Sequence, residues 1–205
     1  SSDLAAPNRN VLEIGSGRGW PGSFIAESSG ADLVATDIPI DALAATKLRL
    51  ESRAISGTAS VAAADARALP FRSDRFDSIV HADVICCVPD KRAVLRECRR
   101  VLRPGGRIAG YTIHVPSGLS RGDVTLASAL GPSAVAADAS PRTLFESSGF
   151  SVLHERDVTP TFRDTCAAIV KARLEFESQL RAEEGSDMYD EELVRMSAML
   201  DGIDA

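Results

Sequence analysis

Residues 11–26 read VLEIGSGRGWPGSFIA, and this stretch decides the fold. A mostly apolar run leads directly into three glycines at every second position, Gly15, Gly17 and Gly19, and Pro21 begins the next run. Glycine accepts left-handed backbone angles and allows close approach of a ligand, and proline is favoured in the first turn of a helix. The stretch therefore predicts a buried strand, a glycine loop lying against a nucleotide-like ligand, and a helix.

The spacing of these glycines indicates which kind of nucleotide site this is. A dinucleotide fingerprint needs its third glycine at the position of Trp20, and no Gly-Lys-Ser/Thr of a P-loop follows. The pattern Glu13-x-Gly15-x-Gly17-x-Gly19 instead resembles the first motif of class I S-adenosylmethionine-dependent methyltransferases. For the glycines alone, a tight strand-to-helix turn without a ligand is the alternative.

Acidic residues end the next two predicted strands. Residues 31–37 form a strand ending in Asp37, 22 residues after Gly15, and residues 58–64 form another, followed by Asp65 and Ala66. The end of the second strand of a Rossmann-like sheet lies beside the ribose, so Asp37 can accept hydrogen bonds from both ribose hydroxyls. Capping of the following helix is the alternative role. The resemblance implies that Asp65 holds the adenine amino group and that the N–H of Ala66 meets a ring nitrogen.

A second feature, more specific than the glycine loop, joins the fourth and fifth strands. Residues 76–80 read FDSIV, Asp90 caps a helix, and residues 101–108 read VLRPGGRI. This succession is typical of class I methyltransferases, and the matching motifs together cover about residues 11–113. The resemblance implies S-adenosylmethionine as cofactor, with S-adenosylhomocysteine as product. The predicted cofactor-binding residues are Glu13, Gly15, Ser16, Gly17, Gly19, Asp37, Ile38, Asp65, Ala66 and His81.

The predicted fold class is α/β: an open, mostly parallel, Rossmann-like sheet in the order 3-2-1-4-5 with helices on both faces. A sixth strand, residues 150–158, is expected beside the fifth. A helix over residues 161–182 and a last helix from Ser186 form a C-terminal appendage. The predicted domains are therefore 1–160, which binds the cofactor, and 161–205, helices packed on it.

Two departures from the family concern the two ends of the sequence. Such enzymes usually carry an N-terminal helical lid, whereas about ten residues precede the first motif here. They also usually end in an antiparallel seventh strand, whereas only helices are predicted after Val158. We expect the C-terminal helices to supply the missing roof of the acceptor pocket.

Composition restricts the classes of function. The 205 residues carry a net charge of −6 without a basic block, which disfavours nucleic-acid partners. No signal peptide or membrane span is predicted, and the four cysteines contain no C-x-x-C pair, so a cytoplasmic protein is expected. Adjacent Cys86 and Cys87 are compatible with the hypothesis of an arsenical-binding site, but the spacing to the other cysteines favours a role in packing. No metal site is predicted.

The predicted reaction is methyl transfer by in-line displacement to O, N or C of a small-molecule acceptor, which needs alignment and exclusion of water. His81 and His114 follow predicted strands at the mouth of the crevice and are the candidate catalytic bases. For each of them, lining the pocket is the alternative, and Trp20 is equally a pocket wall or a packing residue. The alternative functions are a catalytically silent cofactor-binding partner subunit and a nicotinamide-dependent oxidoreductase.

Overall fold

The computed structural model describes residues 5–115, 118–132 and 134–204. The chain divides into two compact units. Unit 1 consists of Ser1–His114 and Asp138–Ser151, and unit 2 consists of Val115–Ala137 and Val152–Ala205. These units group residues 115–137 with the C-terminal helices, whereas the division into domains at residue 160 stays a prediction.

Unit 1 contains a parallel five-stranded sheet in the order β3-β2-β1-β4-β5, which confirms the predicted strand order. The strands are β1 Asn10–Ile14, β2 Asp32–Asp37, β3 Ala59–Ala63, β4 Phe76–Ala82 and β5 Leu102–Tyr111. The direction of strand succession reverses between β1 and β4, and ligands of such sheets bind at the carboxyl ends of the strands at this switch point. The glycine loop leaves β1 at that point.

Helices of unit 1 cover both faces of the sheet. They are α1 Trp20–Ser29, α2 Ile40–Glu51, α3 Lys91–Val101 and α5 Pro141–Ser147. Alternate residues of a strand point to opposite faces. Leu12 and Ile14 accordingly join a buried cluster that includes α3, whereas Val11 joins one that includes α1 and α2. The side chain of Glu13, between them, therefore lies on the α1 face.

Asp77 organises the end of the sheet opposite to the glycine loop. Its carboxylate accepts hydrogen bonds from the backbone N–H of Asn10 (2.8 Å) and the guanidinium of Arg103 (2.6 Å). These bonds hold the pKa of Asp77 below its usual value despite partial burial. The residue links the starts of β1, β4 and β5, so its role is structural.

The predicted sixth strand is wrong. Residues 150–158 form no strand, and the sheet of the described residues has five. The segment lacks the apolar–polar alternation of a strand, because Val152 and Leu153 are adjacent and a charged run follows. In the structure Leu153 is accordingly 64% exposed. The helix before this segment, α5, is capped by the Ser140 hydroxyl, which accepts from the N–H of Thr143.

Unit 2 is helical. Its helices are α4 Arg121–Leu130, α6 Thr159–Glu175, α7 Glu177–Glu184 and α8 Ser186–Asp204. The single helix predicted over residues 161–182 is interrupted at Phe176, which leaves helical geometry with φ −103° and ψ 23°. The interior of this unit includes Tyr189, whose hydroxyl donates to the carbonyl of Arg173 at 3.0 Å.

Among the described residues, no helix is long and apolar enough to cross a membrane.

Candidate functional site

The glycine loop is held in a conformation that glycine alone adopts easily. Gly15 and Gly17 have φ of +63° and +53°. A Cβ on Gly15 would lie 2.2 Å from Cγ2 of Val84, so this glycine is required by packing against the segment after β4. A Cβ on Gly17 would meet nothing within 4 Å. Gly17 therefore faces open space, as a residue must if a ligand lies against its backbone.

A buried threonine on α2 fixes the loop from outside. The hydroxyl of Thr46 donates to the carbonyl of Gly17 at 2.8 Å, and Thr46 is fully buried. Ser16 contributes through its backbone: its N–H donates to the carbonyl of Thr36 at 2.9 Å, and its carbonyl accepts from Gly19 at 2.7 Å. Sequence reasoning missed Thr46 as a site residue, because its position on the helix indicates only burial.

We expect Thr46→Val to lower the free energy of unfolding by about 1–2 kcal/mol, because the Gly17 carbonyl loses its donor. Thr46→Ser keeps the hydroxyl and is the control, with only a methyl-sized cost. Denaturant unfolding of both variants measures the difference. Equal stabilities of the two variants would contradict this role of the hydroxyl.

Asp37 lies at the end of β2 with its carboxylate against the glycine loop. Oδ2 accepts from the N–H of Gly17 at 2.6 Å, and Oδ1 accepts from the N–H of Ile38 at 2.7 Å. An ionised carboxylate has about four acceptor positions, so each oxygen keeps one for a further donor. The N-cap of α2 is Pro39 and has no side-chain capping bond, which argues against helix capping as the role of Asp37. The two remaining acceptor positions fit the two hydroxyls of a ribose.

Glu13 lies beneath the glycine loop. Its side chain is 1% exposed, Oε1 accepts from the N–H of Gly22 at 2.9 Å, and Oε2 has no hydrogen-bond partner in the structure. Burial raises the pKa of Glu13 to about 7, the hydrogen bond from Gly22 opposes the shift, and the charge of Asp37 adds to it. Glu13 thus caps the first turn of α1 from β1.

Asp65 follows β3, and its carboxylate is hydrogen-bonded to the neighbouring cation Arg67. Arg67 donates from Nη2 to Oδ2 at 2.6 Å and from its backbone N–H to Oδ1 at 2.8 Å, and these bonds lower the pKa of Asp65. A ligand amino group at Asp65 has to share the carboxylate with Arg67. Ala66 is half-buried against the cluster under β1. The adenine contacts of Asp65 and Ala66 stay predictions.

The two candidate bases have opposite environments. His81 is 6% exposed near the end of β4, its Nδ1 is buried without a partner, and burial lowers its pKa to about 4. Its imidazole lies over Gly110 of β5, where a Cβ would approach Nε2 to 2.6 Å. A buried, neutral imidazole of such low basicity is better suited to packing than to proton abstraction. His114, three residues after β5, is exposed and accessible to a substrate.

Trp20 and one of the cysteines, also considered in the sequence, lie in packing environments. Trp20 is 59% exposed, with the guanidinium groups of Arg49 and Arg53 at 5.5 and 5.3 Å from its ring centroid, so it packs against α2. Cys98, one of the other cysteines, lies in the buried core, as expected for a cysteine that serves packing. In the described part of the chain, no group of three or more His, Cys, Asp or Glu side chains is placed to hold a metal ion.

Comparison with known proteins identifies related sequences. Residues 12–110 match the family described as "Methyltransferase domain". The chain is 32% identical over 177 residues to methyltransferase GfsG of Streptomyces halstedii, covering 83% of this chain and 62% of that protein. It is 36% identical over 106 residues to the ubiquinone/menaquinone biosynthesis C-methyltransferase UbiE of Shewanella sp. (strain ANA-3), covering 51% of this chain and 42% of that protein. The chain thus spans less than two thirds of the length of these relatives.

A solved structure shares the fold. Phosphoethanolamine N-methyltransferase 2 of Haemonchus contortus, solved with S-adenosyl-L-methionine, superposes with a TM-score of 0.81 at 20% identity. The superposition covers 97% of this chain and 46% of that one.

Proposed function

We propose that this chain is a class I S-adenosylmethionine-dependent methyltransferase that methylates O, N or C of a small-molecule acceptor by in-line displacement. The observation that carries this proposal is the glycine loop: Gly17 faces open space, and its N–H is 2.6 Å from a carboxylate with acceptor positions left for a ribose. A nicotinamide site would need a glycine where this chain has Trp20.

The residues of unit 1 bind and orient the cofactor. The backbone around Gly17 would meet its methionine end, and Asp37 would accept hydrogen bonds from its ribose hydroxyls. S-adenosylmethionine, when bound, supplies a methyl group already activated on a sulfonium. The protein then has to align the acceptor with that methyl group and exclude water, so no metal or covalent nucleophile is needed.

Charge and family support a small molecule as acceptor. The net charge of −6 disfavours nucleic acid. The relatives include a protein named ubiquinone/menaquinone biosynthesis C-methyltransferase, and the quinones in that name are small organic molecules. No cysteine of residues 5–115, 118–132 and 134–204 is in a disulfide, which supports a reducing compartment such as the cytoplasm.

His114 is the better of the two histidines for a role as catalytic base. It is exposed at the carboxyl end of β5, whereas His81 is buried and weakly basic. We expect His81→Gln to change turnover mainly through stability. Loss of turnover in His114→Ala at unchanged cofactor affinity would assign the proton transfer to His114, and unchanged turnover would leave it to another group at the carboxyl ends of the strands.

The test of this function is a screen with methyl-labelled S-adenosylmethionine against phenols, quinols, amines and thiols. We expect stoichiometric formation of S-adenosylhomocysteine and methylated product with one acceptor class. Tight binding of S-adenosylhomocysteine with background transfer to every class would instead support a cofactor-binding partner subunit. Binding of NAD in place of S-adenosylhomocysteine would support the oxidoreductase alternative.

A further inference from the structure

A carboxylate and a phenol form a hydrogen-bonded pair at the carboxyl ends of β4 and β5. Asp83 directly follows β4, and Tyr111 is the last residue of β5. The hydroxyl of Tyr111 donates to Oδ2 of Asp83, and the backbone N–H of Asp83 donates to the carbonyl of Tyr111 at 3.1 Å. Two contacts, one through side chains and one through backbone, thus fix the position of the carboxylate.

This pair lies beside the glycine loop. Val84, the next residue after Asp83, has its Cγ2 2.2 Å from the Cβ position of Gly15. Asp83 itself has φ of +54°, a left-handed conformation that Asp tolerates better than most residues but that still costs free energy. The chain therefore places a carboxylate at the switch point of the sheet, next to the loop that we assign to the methionine end of the cofactor.

The Asp83 carboxylate has acceptor capacity left. Its neighbours are the Tyr111 hydroxyl, the N–H of Ile113 and, at 3.9 Å, the Cys86 thiol. Three donors leave about one of its four acceptor positions open. No cationic side chain of the described residues is among the groups that shift its pKa, which burial raises above the usual value. Tyr111 is 43% exposed, so the pair is accessible from solvent.

We propose that the Asp83–Tyr111 pair binds the methyl-accepting hydroxyl group of the small-molecule substrate and that Asp83 takes its proton. The inference rests on the proposed function and adds to it a substrate class, O-methylation, and a catalytic residue other than the histidines. The acceptor O–H bond breaks and its proton goes to the Asp83 carboxylate. The oxygen electron pair forms the new bond to the methyl carbon. The carbon–sulfur bond breaks, its electron pair stays on sulfur, and the neutral thioether leaves. Asp83 then releases the proton to solvent.

The proton balance of the reaction favours a hydroxyl over a neutral amine as the group that this carboxylate serves. Methylation of a neutral amine produces a stable ammonium and needs no proton acceptor during transfer, whereas an ether forms only if the hydroxyl proton leaves. A carboxylate without a cationic partner is a suitable acceptor for that proton.

The test measures binding of phenol and of anisole, which lacks the O–H, to the full chain saturated with S-adenosylhomocysteine, by NMR titration. We expect phenol to bind about tenfold more tightly than anisole, because it donates to a charged acceptor. In Asp83→Asn this preference disappears through loss of phenol affinity, and in Tyr111→Phe it falls about threefold. Affinity for S-adenosylhomocysteine and the melting temperature stay near the wild-type values in both variants.

Asp74→Asn is the matched control, because Asp74 has the same φ of +54° but lies in the turn before β4, at the other end of that strand. We expect it to keep the preference for phenol. Equal phenol and anisole affinities in the wild type, including no detectable binding of either, would overturn the inference. So would a preference that survives in Asp83→Asn, or a methyl group on N or C in the acceptor screen. Absence of S-adenosylhomocysteine binding would overturn the proposed function and this inference with it.

Discussion

Glu13→Gln should gain stability over the wild type by up to about 3 kcal/mol as the pH rises from 4.5 to 7. Burial raises the pKa of Glu13 from 4.5 to about 7, so in this window the folded protein holds a proton that the unfolded chain has released. Stability from this group is complete below pH 4.5 and is lost as the pH rises through 7. The variant lacks the ionisable group, so its stability does not fall in this pH range for that reason.

His81 has the opposite dependence. Burial lowers its pKa from 6.5 to about 4, so between these values the unfolded chain binds a proton that the folded protein does not. Stability from this group is complete above pH 6.5 and falls with pH towards 4. The free energy of unfolding of His81→Gln, relative to that of the wild type, should therefore rise by up to about 3 kcal/mol as the pH falls from 6.5 to 4. In the wild type the pH dependences of stability from Glu13 and His81 have opposite signs and partly cancel. Removing one group by substitution therefore exposes the pH dependence that the other group contributes.

Denaturant unfolding across pH 4–8 measures both effects as differences from the wild type, so the pH-independent cost of each substitution does not affect the slopes. Glu51→Gln is the control, because Glu51 is exposed on α2 and its ion pair with Lys47, at 3.9 Å, is a surface pair. Its difference from the wild type should vary by less than about 0.5 kcal/mol. If the difference in free energy of unfolding between Glu13→Gln and the wild type stays constant from pH 4.5 to 7, the pKa of Glu13 is not raised by burial.

Gly15→Ala and Gly17→Ala should separate stability from binding. Alanine at 15 meets Val84 and a strained φ of +63°, so we expect a loss of about 3 kcal/mol in the free energy of unfolding. Alanine at 17 carries only the strain of its positive φ, about 1 kcal/mol. Its Cβ, however, occupies the open space assigned to the cofactor, so affinity for S-adenosylhomocysteine should fall at least about tenfold.

Denaturant unfolding and calorimetric titration of the two variants check this separation. The expected result is that Gly17→Ala is the more stable variant and nevertheless shows a large loss of affinity. If Gly17→Ala binds S-adenosylhomocysteine as the wild type does, the space above Gly17 is not the cofactor site.

The sheet could be predicted from sequence because its signals are local. The glycines after β1 and the acid after β2 mark strand ends directly, and right-handed crossovers then fix the order of the parallel strands. The Asp90 cap of α3 was also readable, since its side chain accepts from Ala93 within one turn.

The failures have a common cause, which is that burial depends on distant contacts. Phe150, at the start of the predicted sixth strand, instead packs edge-to-face on Phe145 at 5.7 Å, and the polar residues after it form no strand. Helix α4 was not predicted: it has no buried residue and so lacks a clear apolar periodicity, although Ser120 and Asp123 form a recognisable cap.

The site residues show the same distinction. Asp37 was predicted from spacing alone. Thr46 and Val84 were not predicted as parts of the loop, because each acts on a glycine roughly 30 or more residues away in sequence through a contact that no local pattern encodes.

The most direct measurement of the central claim is calorimetric titration of the wild type, Asp37→Ala and Asp41→Ala with S-adenosylhomocysteine and with NAD. We predict one saturable site for S-adenosylhomocysteine in the wild type and no binding of NAD. Asp37→Ala should weaken binding about a hundredfold, because two hydrogen bonds to a carboxylate are lost. Asp41→Ala, a change on the exposed first turn of α2, should leave it unchanged. No binding of S-adenosylhomocysteine by the wild type, or equal affinities for the wild type and Asp37→Ala, would contradict the assignment of this crevice.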